Sequence, residues 1–291
     1  MGDLQPLPAE VTLPLLTEDG VRLSLHRLGK QGGPPVLLLT GAFSNHTFWL
    51  GTRGVGFARY LAEQGFTAHV LDFRGHGLSQ RKQAGHTWSF EDWARYDIPA
   101  ALEAAAREAP VRLVTHSASG AAALSSLALR PDLQEKIARF ALLATPAPTL
   151  RGLRRIAAWV AFALCRWLGR FPARTLGFGP EDEDGGVMGQ WLRWNIQGRW
   201  VTKDGVVVLE RLPELRMPIL AVAGSGDWLW SPPDFCGQLL QTIRAKNKSF
   251  WVVGGSEACS VRPGHVGLVT HPQCRQVLWP RLVAWLASEG N

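Results

Sequence analysis

The chain has 291 residues, 46% of them hydrophobic, enough for one large domain with a subdomain inserted into it. Its net charge of +7 comes from scattered arginine, with no basic helix interleaved with stacking aromatics and no zinc-finger or RNA-binding motif, which argues against a nucleic-acid partner. Thirteen Trp against two Tyr is unusual, and several of the Trp fall after residue 158.

The first residues, Met1-Gly-Asp-Leu-Gln-Pro6, show no basic stretch leading into an apolar run, so a signal peptide is not expected. Pro6 stands where a myristoylation motif wants Ser or Thr. Cys165, Cys236, Cys259 and Cys274 have neither CxxC nor metal-ligand spacing, which fits reduced thiols in a cytoplasmic protein. Residues 11–16 and 21–28 flank Glu18-Asp-Gly20 and read as an antiparallel hairpin. From Pro35 onward, apolar runs near 36–40, 67–71, 111–115, 138–143, 218–223 and 249–253 predict buried strands. Helical patterns near 53–64, 91–107, 117–130, 231–244 and 266–287 alternate with them, the mark of a mostly parallel sheet covered on both faces.

The alternation breaks once, between Ala147 and Arg216, over a gap too long for a plain connection. The expected organisation is a core of residues 1–147 and 216–291, with a helical cap at 148–215 inserted after the sixth strand. Residues 151–174 hold six arginines (Arg151, Arg154, Arg155, Arg166, Arg170, Arg174) and no acid. Between them, Ile156 to Cys165 is an unbroken apolar run, half of the roughly twenty residues needed to span a bilayer. Two readings are open: a cap helix buried against the active site, which is favoured, or an Arg-flanked segment in weak contact with a membrane surface. Glu181-Asp-Glu-Asp184 reads as a solvated loop closed by Gly185-Gly186, and Val187, Trp191 and Trp194 follow at helical spacing.

Catalytic chemistry is suggested at Val111-Arg-Leu-Val-Thr-His-Ser-Ala-Ser-Gly120, where an apolar, β-favouring run meets a serine among small residues and an Ala/Leu helix follows. That is the strand–turn–helix context of a nucleophile elbow, whose tight turn admits only small side chains two positions either side of the nucleophile. Thr115 and Ser119 hold those positions around Ser117 in place of the usual glycines. Downstream, Pro218-Ile-Leu-Ala-Val-Ala-Gly-Ser-Gly-Asp227 ends a strand in an acid, and Pro263-Gly-His-Val-Gly-Leu268 places a histidine after the last strand. The order Ser, Asp, His past strand ends is that of the α/β-hydrolase triad.

On these residues the chain resembles the α/β-hydrolase-fold serine hydrolases, over nearly its whole length. Leu38-Leu-Thr-Gly-Ala-Phe-Ser44 resembles the family's oxyanion loop, with Thr40 in place of the usual histidine. Leu71-Asp-Phe-Arg-Gly-His-Gly-Leu-Ser79 is similar to its Asp-x-Arg-Gly-His-Gly-x-Ser loop, and Ala94-Arg-Tyr-Asp-Ile-Pro-Ala100 to a helix of the acid-lipase branch. The resemblance implies an eight-stranded, mostly parallel sheet, helices on both faces and a helical cap. No strand–GxGxxG–helix pattern and no His-Glu-x-x-His or other metal motif occurs in the sequence, so a mechanism without metal or cofactor is expected.

A serine hydroxyl needs a base, and the base an orienting carboxylate. The assignments are Ser117 as nucleophile, His265 as base and Asp227 as orienting acid, with the backbone N–H groups of Ala42 and Ala118 as oxyanion donors and Phe43 the alternative to Ala42. Ser119 is the rival nucleophile, in a frame two residues later. Among other histidines, His76 reads as structural, His116 as pointing away from the reacting atoms, and His271 as part of the final helix. Asp72 and Asp97 read as holding loops and helices together, while Thr40, Asn45 and His46 are the candidates for bracing the oxyanion loop. A serine nucleophile argues against dehalogenase, epoxide-hydrolase and polyester-synthase chemistry.

The expected activity is cleavage of a carboxylic ester through an acyl-enzyme on Ser117. Acyl transfer, thioester or amide cleavage by the same residues, or a non-catalytic binding protein on the same fold, are the alternatives. Trp159, Trp191 and Trp194 in the cap, with Phe43, Trp228 and Trp230 beside the triad, suggest a wall for a hydrophobic acyl or alcohol part. For any single one of these aromatics, packing of the cap onto the core is an equally open reading.

Overall fold

The computed structural model describes residues 10–288. Its strands are β1 (Val11–Leu16), β2 (Arg22–Leu28), β3 (Pro35–Leu39), β4 (Thr67–Asp72), β5 (Val111–His116), β6 (Ile137–Leu143), β7 (Arg170–Phe171), β8 (Glu183–Asp184), β9 (Ile219–Gly224) and β10 (Lys248–Val253). The helices are α1 (Thr47–Leu50), α2 (Phe57–Glu63), α3 (Phe90–Asp92), α4 (Ile98–Ala105), α5 (Ala118–Leu129) and α6 (Gly152–Leu168). They continue with α7 (Gly185–Gln197), α8 (Val208–Arg211), α9 (Pro233–Thr242), α10 (Gly267–Thr270) and α11 (Pro272–Ala287).

Eight strands form one sheet in the order β1-β2-β4-β3-β5-β6-β9-β10. The first three neighbours pair antiparallel and the rest parallel. Strands β3, β4 and β9 are buried throughout, which is why β3 and β9 read as continuous apolar runs rather than alternations, while β4 also buries Thr67, His69 and Asp72. One apolar cluster packs on each face of the sheet, and a third lies under α6 and α7. Between β6 and β9 the chain leaves the sheet and forms α6, α7, α8 and the short β7–β8 ladder.

Three sequence-based expectations change. The strand predicted at 249–253 as fully buried is the sheet's edge strand β10, in which Phe250 and Val252 are exposed. Arg281 of α11 covers Trp251, its guanidinium 3.9 Å from the ring centroid, whereas α9 covers the opposite face only in part. The helix predicted over 91–107 contains a widened π turn at Trp93–Asp97, because Pro99 has no N–H to return to the Arg95 carbonyl. The helix predicted over 266–287 breaks at His271, which Pro272 forces into extended backbone (φ −68°, ψ 133°). His271 therefore caps α11 instead of lying inside it.

Candidate active site

β5 delivers Ser117 to the carboxyl edge of the sheet. Its backbone is in the left-handed region (φ 61°, ψ −127°), a conformation costing about 1–3 kcal/mol in a non-glycine residue. Neighbours hold it there: the Ser117 N–H donates to the Leu143 carbonyl at 2.8 Å, and Thr145 Oγ1 donates to the Ser117 carbonyl at 3.0 Å. The turn is crowded enough that a Cβ on Gly120 would stand 2.1 Å from Thr145 Oγ1.

The Ser119 hydroxyl is fully buried and engaged elsewhere. It lies within hydrogen-bonding distance of the Leu39 and His116 carbonyls, at 3.1 and 3.0 Å, and accepts from the His116 N–H at 3.1 Å. Ser119→Ala is expected to destabilise the fold by about 1–2 kcal/mol, by leaving that N–H unpaired, without touching the Ser117 hydroxyl. Thermal unfolding measures the first effect, and serine-directed labelling the second.

Asp227 follows β9 in a tight turn closed by its N–H on the Gly224 carbonyl at 3.1 Å. Its Oδ1 accepts the Trp230 N–H at 3.0 Å, and its Oδ2 accepts from His265 Nδ1 at 2.6 Å. Burial opposes ionisation of Asp227, but the His265 hydrogen bond and nearby donors outweigh it and hold the carboxyl below its ordinary range. The two loops are also tied directly, the Gly226 N–H donating to the Pro263 carbonyl at 3.0 Å.

His116 Nε2 donates to the His265 carbonyl at 3.1 Å, and the two rings lie 4.7 Å apart. Burial, then the proximity of His265, pushes the His116 imidazole down to about 3, so it stays neutral and supports the His265 backbone. The sequence showed His116 only as a neighbour of the serine; its partner lies 149 residues away.

Ser117, His265, Ala42, Ala118 and Phe43 line one cleft of about 250 Å³. Beside it, a chamber of about 490 Å³ runs beneath α6, and Ser117, Phe178, Met188, Trp191 and Trp230 belong to both. Trp228 lines the chamber only. Two predicted wall residues are not there. Trp194 is 1% exposed, packs edge-on to Phe90 and donates its Nε1–H to the Val201 carbonyl at 2.8 Å, so it joins this segment to the core. Trp159 sits on the outer side of α6, edge-on to Phe162, and lines neither space. Aromatic residues serve a core and a cavity equally well, so their helical spacing alone could not separate the two.

The loop after β3 is braced by Asn45 and His46, while the buried Thr40 hydroxyl finds no partner. Asn45 Nδ2 donates to Glu181 Oε1 at 2.7 Å. His46 donates from its backbone to Asp72 Oδ1 at 2.7 Å and from Nδ1 to Asp72 Oδ2 at 2.8 Å. Oδ2 also accepts from His26 Nε2 at 3.0 Å and from the Leu78 N–H at 2.9 Å. The hydrogen bond to Asp72 raises the His46 imidazole, and burial only partly opposes it. Against a burial penalty, His26 and His46 hold Asp72 far below the carboxylate range. The glycine of the Arg-Gly-His-Gly stretch follows from this: a Cβ on Gly77 would stand 2.0 Å from Asp72 Oδ2.

Donor atoms of His26, His46 and Asp72 lie within 4.8 Å of one another, the one such grouping among the described residues. The hydrogen bonds just described already satisfy the carboxylate, so the cluster works as a brace. Asp72→Asn is expected to cost about 3 kcal/mol at neutral pH by unpairing buried donors. A depressed carboxyl contributes stability above its unfolded value and loses it as the pH falls. The difference in unfolding free energy between wild type and Asp72→Asn should therefore narrow below about pH 4.

The acidic run 181–184 is not a solvated loop. Glu181 and Glu183 are buried; Glu181 pairs with Arg81 at 2.9 Å, and Glu183 lies 3.2 Å from His76 Nε2. Asp184 pairs with Lys82 and caps α7 by accepting the Gly186 N–H at 2.8 Å. These acids pin the segment between β6 and β9 to the Arg-Gly-His-Gly loop. Asp97, pushed up to about 6 by burial against the pull of Arg74, anchors the same loop from the other side, accepting from Arg74 Nε at 2.8 Å.

An eight-stranded sheet of this order, with a strained serine after β5 and an Asp–His pair after β9 and β10, defines the α/β-hydrolase class. Within that class the chain belongs to the family described as serine aminopeptidase, S33, whose model matches residues 51–256, more than half of the chain. Solved structures agree on the fold. The chain is similar to a thermophilic esterase from Thermogutta terrifontis (19% identity, 96% of this chain and 98% of that one, TM-score 0.64). It is also similar to alpha/beta hydrolase domain-containing protein 10 from mouse (19%, 95% and 98%, 0.65). A monoacylglycerol lipase from Paleococcus ferrophilus aligns with 18% identity over 91% of this chain and 98% of that one, with a TM-score of 0.62. No curated protein sequence matches the chain.

Proposed function

We propose that this hydrolase cleaves carboxylic esters with a hydrophobic acyl or alcohol part, through an acyl-enzyme on Ser117. The observation that carries this reading is that the strained Ser117 and His265, the latter hydrogen-bonded to Asp227, line one cleft that shares its lining with an apolar chamber. Ser117 Oγ attacks the ester carbonyl carbon while His265 Nε2 takes its proton. Asp227 fixes the His265 tautomer and stabilises the imidazolium. The N–H groups of Ala42 and Ala118 receive the developing oxyanion. His265 then protonates the leaving alcohol, and a water molecule activated by the same imidazole releases the acid. Residues 148–215 act as the cap, closing the chamber over the nucleophile.

An ester is favoured over a peptide with a free amino terminus by the lining. Among the described residues of cleft and chamber there is no carboxylate to hold an ammonium group. Thioester cleavage or acyl transfer would use the same residues. A fluorophosphonate probe is expected to label wild type and Ser119→Ala but not Ser117→Ala. Labelling of Ser117→Ala would move the nucleophile and remove the Ala118 donor with it.

A further inference from the structure

The two faces of α6 are both apolar, and only one is covered. On the inner face Ala158 and Cys165 are buried in a cluster with Phe43, Phe171 and Met188. On the outer face Leu153, Ile156, Val160, Leu164 and Trp167 recur every three or four residues and so form one stripe along the helix. All five are exposed, Leu153 by 83% and Trp167 by 81%. At its N-terminal end the stripe meets Trp228, itself 70% exposed, whose carbonyl accepts from the Arg154 guanidinium. Single exposed apolar residues are ordinary, but a contiguous patch of this kind marks an interaction surface.

Charge identifies what it meets. Arg151, Arg155 and Arg166 are exposed at or on α6 beside the stripe, and no salt bridge pairs any of them with a carboxylate among the described residues. Residues 151–174 contain no acid. The acids that follow face other partners: Glu181 meets Arg81, Asp182 meets Arg170, Glu183 lies against His76, and Asp184 meets Lys82. A second copy seated on this face would bring like-charged arginines together. No described helix is long and apolar enough to cross a membrane. A helix with an apolar stripe bearing tryptophan, flanked by arginine, suits the plane of a bilayer interface.

We propose that α6 docks the protein on an anionic lipid surface, the stripe entering the acyl-chain boundary and the free arginines meeting headgroup phosphates. Leu153 and Trp228 also line the chamber that ends at Ser117. An apolar ester leaving the bilayer would thus pass into the chamber without crossing water. This delivery step rests on the reading of Ser117 as nucleophile; the docking does not.

The test is co-sedimentation of the full chain with vesicles of phosphatidylcholine alone or mixed with phosphatidylglycerol. The chain is expected to pellet with the anionic vesicles, to stay in solution with the neutral ones, and to be released by salt. Arg155→Gln and Arg166→Gln should each weaken binding roughly fivefold. Ile156→Ser/Trp167→Ser should abolish it. None of these four residues lines cleft or chamber, so hydrolysis of a short soluble ester and the circular dichroism spectrum should stay at wild-type level. Ser117→Ala should bind vesicles like wild type, which separates docking from catalysis. The proposal is overturned if anionic vesicles do not pellet the chain or if the variants bind unchanged. It is equally overturned by a lipid-free dimer that Trp167→Ser dissolves.

Discussion

Alanine at Ser117, at His265 or at both is expected to give three equally inactive proteins. Each single change should lower kcat by a factor on the order of 10⁴ or more, and the double change should add little, because in the proposed mechanism nucleophile and base act as one unit. His271→Ala should remain active, since His271 caps α11 and lies outside the cleft. Asp227→Asn should fall by about 10⁴, because an amide in place of Oδ2 no longer selects the tautomer that leaves Nε2 free to accept a proton. Single-turnover kinetics on a chromogenic ester measure all five. Near-wild-type turnover in Asp227→Asn would mean that a different acid orients the base.

Lengthening the acyl chain of an ester from two to six carbons is expected to raise kcat/KM by roughly 10²-fold. Each methylene taken into an apolar site contributes about 0.8 kcal/mol, and four of them sum to roughly two powers of ten. The warrant is the chamber of about 490 Å³ between α6, α7 and the Trp228–Trp230 loop, which meets the cleft at Ser117. Ala161→Phe would fill part of that space from α6, and should flatten the rise while leaving hydrolysis of the acetyl ester intact. A flat or falling profile in wild type would show that the chamber is not where the acyl chain goes.

The strands and the serine turn were legible because the signals for them are local. A strand buried on both faces is largely apolar: the runs at 35–39 and 219–224 are so throughout, and 67–72 is interrupted only by Thr67, His69 and Asp72. A turn this tight excludes large side chains, so Thr115, Ser119 and Gly120 around Ser117 identify it by size alone. The pairing of Asp227 with His265 spans 38 residues, but chain order at successive strand ends was enough to point to both.

What only the tertiary structure decided are contacts whose partners are remote and whose side chains suit more than one environment. Glu181 looks like solvent-facing charge until Asn45, 136 residues away, is found against it. His46 reads as one of several loop residues until folding sets it on Asp72, and His116 is given a purpose only by the His265 carbonyl. Trp194 and Trp191 lie three residues apart on one helix, yet the first packs into the core and the second lines the chamber. Hydrophobic free energy is non-directional: it dictates that a tryptophan leave water, and only the shape of the assembled chain decides whether it is buried by protein, faces a substrate, or, like Trp167, stays exposed.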